Sequence, residues 1–141
     1  MGAMALRWYT VVVDSRDPSS LARWWAETLG WVIVFETDEE VVVVPSGADI
    51  APRETLDDWL TEGQGLVFVP VPEGKTIKNR LHLDLAPHTT QDRDAEIAAL
   101  LERGATHVEI GQSDAAEEEV TWTVLADPEG NEFCVLSSRN R

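Results

Sequence analysis

The chain is poor in cysteine, in positive charge and in long apolar runs, and each shortage closes off a class of function. Cys134 is the one cysteine in 141 residues, so neither an intrachain disulfide nor a cysteine-built zinc cluster can form. Lys and Arg number 11 against 26 Asp and Glu, a formal charge of -15. A phosphate-rich partner needs clustered cations, so nucleic acid and anionic membrane surfaces are excluded as partners. No apolar stretch nears the roughly 20 residues of a membrane span, and the valine run from Val41 to Val44 has only the length of a strand. Also missing are a glycine-rich phosphate loop, a dinucleotide fingerprint and a Ser-His-Asp order. With no visible signal peptide and a lone thiol, a cytoplasmic location is expected.

What is present is a pattern that occurs twice. Trp8 to Val13 is β-branched and aromatic, a strand by propensity. Asp17 then caps, Pro18 opens and Gly30 stops a helix whose apolar stripe is Leu21, Trp24, Trp25, Thr28 and Leu29. Strands "WVIVFE" and "EVVVVP" follow across Thr37-Asp38-Glu39, then a polar stretch with a short helical turn near "ETLDDWL", then the strand "LVFVPV". The order then repeats. "RLHLDL" alternates as a strand, and Thr89 or Thr90 caps a helix over residues 91–103 with Ile97, Leu100 and Leu101 inward. "ATHVEI" is a strand and "DAAEEE" an acidic loop. "VTWTVLA" and "NEFCVL" form a hairpin across Asp127-Pro128-Glu129-Gly130. Two βαβββ modules, an α+β architecture, are the expected organisation. They would occupy residues 7–71 and 79–137, joined at 72–78, within one domain over 7–137.

The polar residues of the strands are the candidate site. In the last strand Glu132 and Cys134 share one face while Phe133 and Val135 point to the other, toward the core. Arg80, His82 and Asp84 alternate with Leu81, Leu83 and Leu85 in the same way. A wholly polar strand face needs solvent or mutual satisfaction. His82 could serve as a general base with Asp84 setting its tautomer and Arg80 holding an anionic group; the bland reading is a salt-bridged trio bracing the sheet. Lys75, Lys78 and Arg80 form a basic cluster in a linker turn, and His88 and His107 read as surface residues. Trp24 and Trp25 serve the core. Trp8 and Trp122, on strands, are candidates for an aromatic wall.

"VVVDSRDPSSLARWWAETLGW", "KNRLHLDL" and "TWTVLADPEGNEFCVL", in this order, resemble the vicinal oxygen chelate superfamily, and within it the glyoxalase-like domains of actinobacterial type. The resemblance implies two βαβββ modules whose sheets curl around a shared cleft. In metal-dependent members, His or Glu from the first and last strand of each module bind the ion. Carried onto this chain, those positions fall on Thr10 or Tyr9, among Val67, Phe68 and Val69, on His82 and on Cys134. A transition metal wants three or four converging N, O or S donors. Only His82 and Cys134 qualify here, so no cofactor is expected, and any divalent ion would have to use that pair.

The resemblance therefore implies a metal-free small-molecule-binding protein of sequestering or resistance type, working as a homodimer. Its ligand would lie in the cleft against Trp8, Thr10, Arg80, His82, Trp122, Glu132 and Cys134. The alternative is an enzyme of lyase, isomerase or dioxygenase type, with His82 and Asp84 as its catalytic pair and His82 as metal ligand or general base.

Overall fold

The structure, a computed structural model, describes residues 6–108 and 122–141. The chain forms two compact units, Met1–Glu73 and Gly74–Arg141.

In the first unit the order is β1 (Thr10–Ser15), α1 (Pro18–Leu29), β2 (Trp31–Glu36), β3 (Val41–Pro45), α2 (Leu56–Leu60) and β4 (Gly65–Pro70). Local chemistry explains α1 completely. The Asp17 carboxylate accepts from the Ser20 amide, Pro18 occupies the first turn, and Gly30 turns left-handed at φ 67° with its amide closing on Ala26 and Glu27. Leu21, Ala22, Trp24, Trp25 and Ala26 form the buried stripe, with the two indoles edge to face at 5.1 Å. This helix packs on β2, β3 and β4, where Val41, Val43, Leu66 and Phe68 are all buried. The sheet runs β1-β4-β3-β2, with β1 and β4 parallel. Parallel neighbours cannot be joined by a tight turn, and here α1, β2, β3 and α2 lie between them. Where β4 meets β3, a Cβ on Gly65 would stand 2.6 Å from the Val43 carbonyl oxygen, so only glycine lets the strands close.

The second unit repeats the plan with β5 (Leu83–Leu85), α3 (Arg93–Glu102), β6 (Thr106–His107), β7 (Trp122–Ala126) and β8 (Glu132–Leu136). Its sheet runs β5-β8-β7-β6, again with its first and last strands parallel. Three expected boundaries move. The cap of α3 is Asp92, which accepts from the Ala95 amide, because Thr90 is already engaged with His88 Nδ1 at 2.7 Å. The strand expected over "RLHLDL" pairs only over Leu83–Leu85. Leu81 is 90% exposed and no part of an aliphatic underside. Likewise β1 begins at Thr10, leaving Trp8 ahead of the strand. Of "ATHVEI" the described strand is Thr106–His107; Glu109 and the acidic loop "DAAEEE" lie outside the described residues.

The turn "ADPEGNE" is built by Asp127, 2% exposed. Its carboxylate accepts from the Glu129 amide at 2.9 Å, the Asn131 amide at 3.0 Å and the Asn131 side chain. Arg93 fastens α3 to the sheet by donating to Thr123 Oγ1 at 2.7 Å and to the carbonyls of Val135 and Leu136 at 2.8 and 3.0 Å. That places α3 on the face holding Thr123, Leu125, Phe133 and Val135, the core of this unit. Among the described residues, no helix is long and apolar enough to cross a membrane.

Candidate functional site

The opposite face of the second sheet collects the polar side chains. In the parallel pairing of β5 with β8, Asp84 stands beside Cys134. In the antiparallel pairing of β8 with β7, Cys134 faces Val124, Leu136 faces Trp122, and Glu132 faces Ala126. Paired residues share a face and alternate residues return to it. Asp84, Glu132, Cys134 and Trp122 therefore lie on one side, and Leu83, Phe133 and Leu125 on the other.

His82, two residues before Asp84, joins this side: its Nε2 lies 3.2 Å from Asp84 Oδ1. The donor atoms of His82, Asp84 and Cys134 all fall within 4.8 Å of one another. The side chains of His82 and Asp84 are 43% and 48% exposed, while Cys134 is buried. The triad thus has an open, charged mouth and a thiol at its base. Burial, and then the adjacent Asp84 carboxylate, push the Cys134 thiol above its ordinary value, against a smaller opposite pull from Lys78. Such a thiol keeps its proton and is a poor nucleophile.

Glu132 is on the same face but already committed. Its carboxylate accepts from Lys75 Nζ at 2.8 Å and from the Asn79 amide at 3.0 Å. Burial works to raise its pKa, yet these donors win and hold it below the ordinary carboxylate value. The basic cluster of the sequence is therefore divided. Lys75 locks the segment leading to β5 onto β8, and Arg80 is exposed ahead of the strand.

The first unit presents different chemistry at its corresponding positions. Thr10 Oγ1 donates to the Gly65 carbonyl at 3.0 Å, joining β1 to β4. On β4, Val67, Phe68 and Val69 carry no side-chain lone pair, and Phe68 is fully buried. Trp8 is 65% exposed. The residues of this unit do not fit the half-share of a four-ligand ion site that metal-dependent family members build. Sequence reasoning missed one feature here: the Arg7 guanidinium lies 5.1 Å from the Tyr9 ring and 5.2 Å from the Trp59 ring. It missed Arg93 and the Glu132–Lys75 pair as well. Nothing local in the sequence signals any of these contacts.

Residues 10–136 match the glyoxalase-like domain family. The chain belongs to this family. The two modules, with matching strand orders, are the vicinal oxygen chelate fold. Among solved structures it is similar to a glyoxalase/bleomycin resistance protein/dioxygenase family enzyme from Burkholderia phytofirmans PsJN, at 14% identity and TM-score 0.66, over 94% of this chain and 98% of that one. A superfamily member from Sphaerobacter thermophilus DSM 20745 gives 20% identity and TM-score 0.58, over 96% and 98%. An antibiotic binding protein from Streptomyces sp. CB03234 gives 22% identity and TM-score 0.57, over 96% and 99%. No curated protein sequence matches the chain significantly. At these identities the likeness establishes the glyoxalase-like fold and leaves the chemistry to the residues.

Proposed function

We propose that this glyoxalase-like protein binds a small organic molecule and sequesters it, working without the family's four-ligand metal centre. The observation that carries the reading is the contrast along one sheet face. Trp122 shares it with His82, Asp84 and Cys134, whereas the first unit supplies Thr10 and aliphatic side chains at the family's ligand positions. One aromatic surface with a few fixed polar groups is the usual make-up of a small-molecule site. The fold's occurrence in an antibiotic binding protein supports the same reading. The cytoplasm is the proposed location, where a lone buried thiol stays reduced. A homodimer belongs to the proposal too. Val12, Val32 and Phe35 are 56%, 42% and 50% exposed on the first sheet, apolar surface that a second copy would cover. Light scattering reads the mass directly.

The test is a panel of flat aromatic antibiotics, with the glycopeptide bleomycin beside them. A ligand should quench tryptophan fluorescence and raise the melting temperature with occupancy. The His82→Ala variant should weaken that binding by about 1–3 kcal/mol, the cost of a polar partner left unmet. It should leave global stability nearly unchanged. Binding intact with stability lost would show His82 and Asp84 to be bracing the sheet and would sink the proposal. The 3.2 Å contact of His82 with Asp84 favours one further reading, an acid–base pair acting on the bound molecule. Mass spectrometry of recovered ligand separates the two: a sequestering protein returns it unchanged.

A further inference from the structure

We propose that Tyr9 and Trp59 form a binding slot for an alkylated ammonium cation, and that Arg7 of the same chain occupies it as a stand-in. The slot lies wholly within the first unit. The inference therefore goes beyond the polar face of the second sheet and stands whether or not a ligand is found there. The Arg7 guanidinium carbon lies over both rings, 5.1 Å from the Tyr9 centroid and 5.2 Å from that of Trp59. Both distances fall inside the roughly 6 Å over which a ring face attracts a cation. Two aromatic faces thus converge on one positive charge. Strand register makes this possible: Tyr9 directly precedes β1, whose first residue pairs with Gly65 at the start of β4, and Trp59 rides on α2 in the connection that enters β4.

The present occupant fits imperfectly, and the misfit names the ligand. Arg7 Nε is buried without a hydrogen-bond partner. A guanidinium bears that cost, whereas a cation without N–H donors does not. A quaternary ammonium has the same charge, no donor, and methyl groups that meet the ring faces. Arg7 is also poorly anchored: its neighbours Leu6 and Trp8 are 91% and 65% exposed, so the arm that carries it has no core of its own. The slot is reachable, since Tyr9 is 66% exposed and α2 buries none of its five residues. Its setting favours positive charge. Asp57 and Asp58 immediately precede Trp59 on α2, both exposed and neither in an ion pair among the described residues, in a chain of charge -15. Arg53, the nearest cation in sequence, is held instead by Asp49 and Glu62.

Choline is the probe, titrated at constant ionic strength beside 3,3-dimethylbutanol, its uncharged isostere, with the tryptophan indole N–H resonances as the readout. Expected is a saturable choline-dependent shift of the Trp59 resonance, with those of the buried Trp24 and Trp25 in place and no response to the neutral isostere. Emptying the slot should tighten binding. An occupant present about nine-tenths of the time lowers apparent affinity about tenfold, so the Arg7→Gln variant should bind choline about tenfold more tightly than the parent. In that background, Trp59→Leu and Tyr9→Leu should each abolish binding; the first is read by calorimetry, since it removes the reporter. Equal choline affinity in the parent and Arg7→Gln would overturn the stand-in. A Trp59 resonance indifferent to choline in Arg7→Gln, equal binding of the neutral isostere, or choline binding that survives the loss of either ring would overturn the slot itself. Because Tyr9 is largely exposed, its variant tests the slot without touching a core.

Discussion

The two modules have one topology and two chemistries. Both sheets place their first and last strands in parallel contact, in the orders β1-β4-β3-β2 and β5-β8-β7-β6. Away from its helix, the first sheet shows Val12, Val42, Val44, Val67 and Val69, with Thr10 and Asp14 on β1. The equivalent side of the second shows Asp84, Glu132, Cys134 and Trp122 among Val124, Ala126 and Leu136. Each module buries one apolar face under a helix. The other face is released from the folding requirement. One module uses it for aliphatic surface and the other for donors.

The sharpest test of the shared part lies in the cores. Phe68 on β4 and Phe133 on β8 are 0% and 1% exposed in equivalent strands. Each Phe→Ala substitution should cost about 3–5 kcal/mol in denaturant unfolding. A small loss at Phe133 with a large one at Phe68 would break the equivalence, making the second sheet a passenger on the first.

A smaller effect probes how each module is tied. In the second, Lys75 and Glu132 are mostly enclosed, with 18% and 13% of their side chains exposed. The Glu132→Gln variant should lose about 1.5–3 kcal/mol, the range for hydrogen bonds to a charged group. The folded-state pKa of Glu132 is depressed, so its contribution is full above the ordinary carboxylate value of 4.5 and is lost as pH falls through the lowered one. The gap between parent and variant should therefore close in acid. A gap independent of pH would mean that shape, not charge, holds the junction.

The smallest effect belongs to the first module's counterpart, Arg23 with Glu36 at 2.9 Å on the surface. Hydrogen bonds from Arg23 and then Ser19 pull the Glu36 pKa down to about 2, so its contribution fades only between pH 4.5 and that value. Solvent screens this exposed pair. The Glu36→Gln variant should shift the melting temperature least of the three, and the shift should vanish at high salt. Persistence in salt at the level of the Glu132 variant would erase the distinction between the two ties.

The elements that sequence reading placed well are those with local signals. Asp17, Pro18 and Gly30 mark both ends of α1, and α1 runs between them. Where two residues of capping type compete, spacing alone does not choose: Thr90 binds His88, and Asp92 caps α3. Alternation over "RLHLDL" overstated the strand, because pairing depends on the partner. β8 begins only at Glu132, and Leu83 is the first residue of β5 to find a match, at Phe133. His82, Asp84, Glu132 and Cys134 were all legible as polar residues on strand faces. Their grouping was not: Glu132 leaves for Lys75, while Asp84 joins Cys134.

The sequence by itself determined the two βαβββ modules, the face that β8 buries through Phe133 and Val135, and the apolar character of β4. Those follow from propensity and period, which act over a few neighbouring residues. Only the tertiary structure decided that Asp84 meets Cys134 and that Lys75 takes Glu132. Residues 50 or more positions apart meet through strand register, and register is selected by burial of the whole apolar face rather than by the polar residues that come together on the other side.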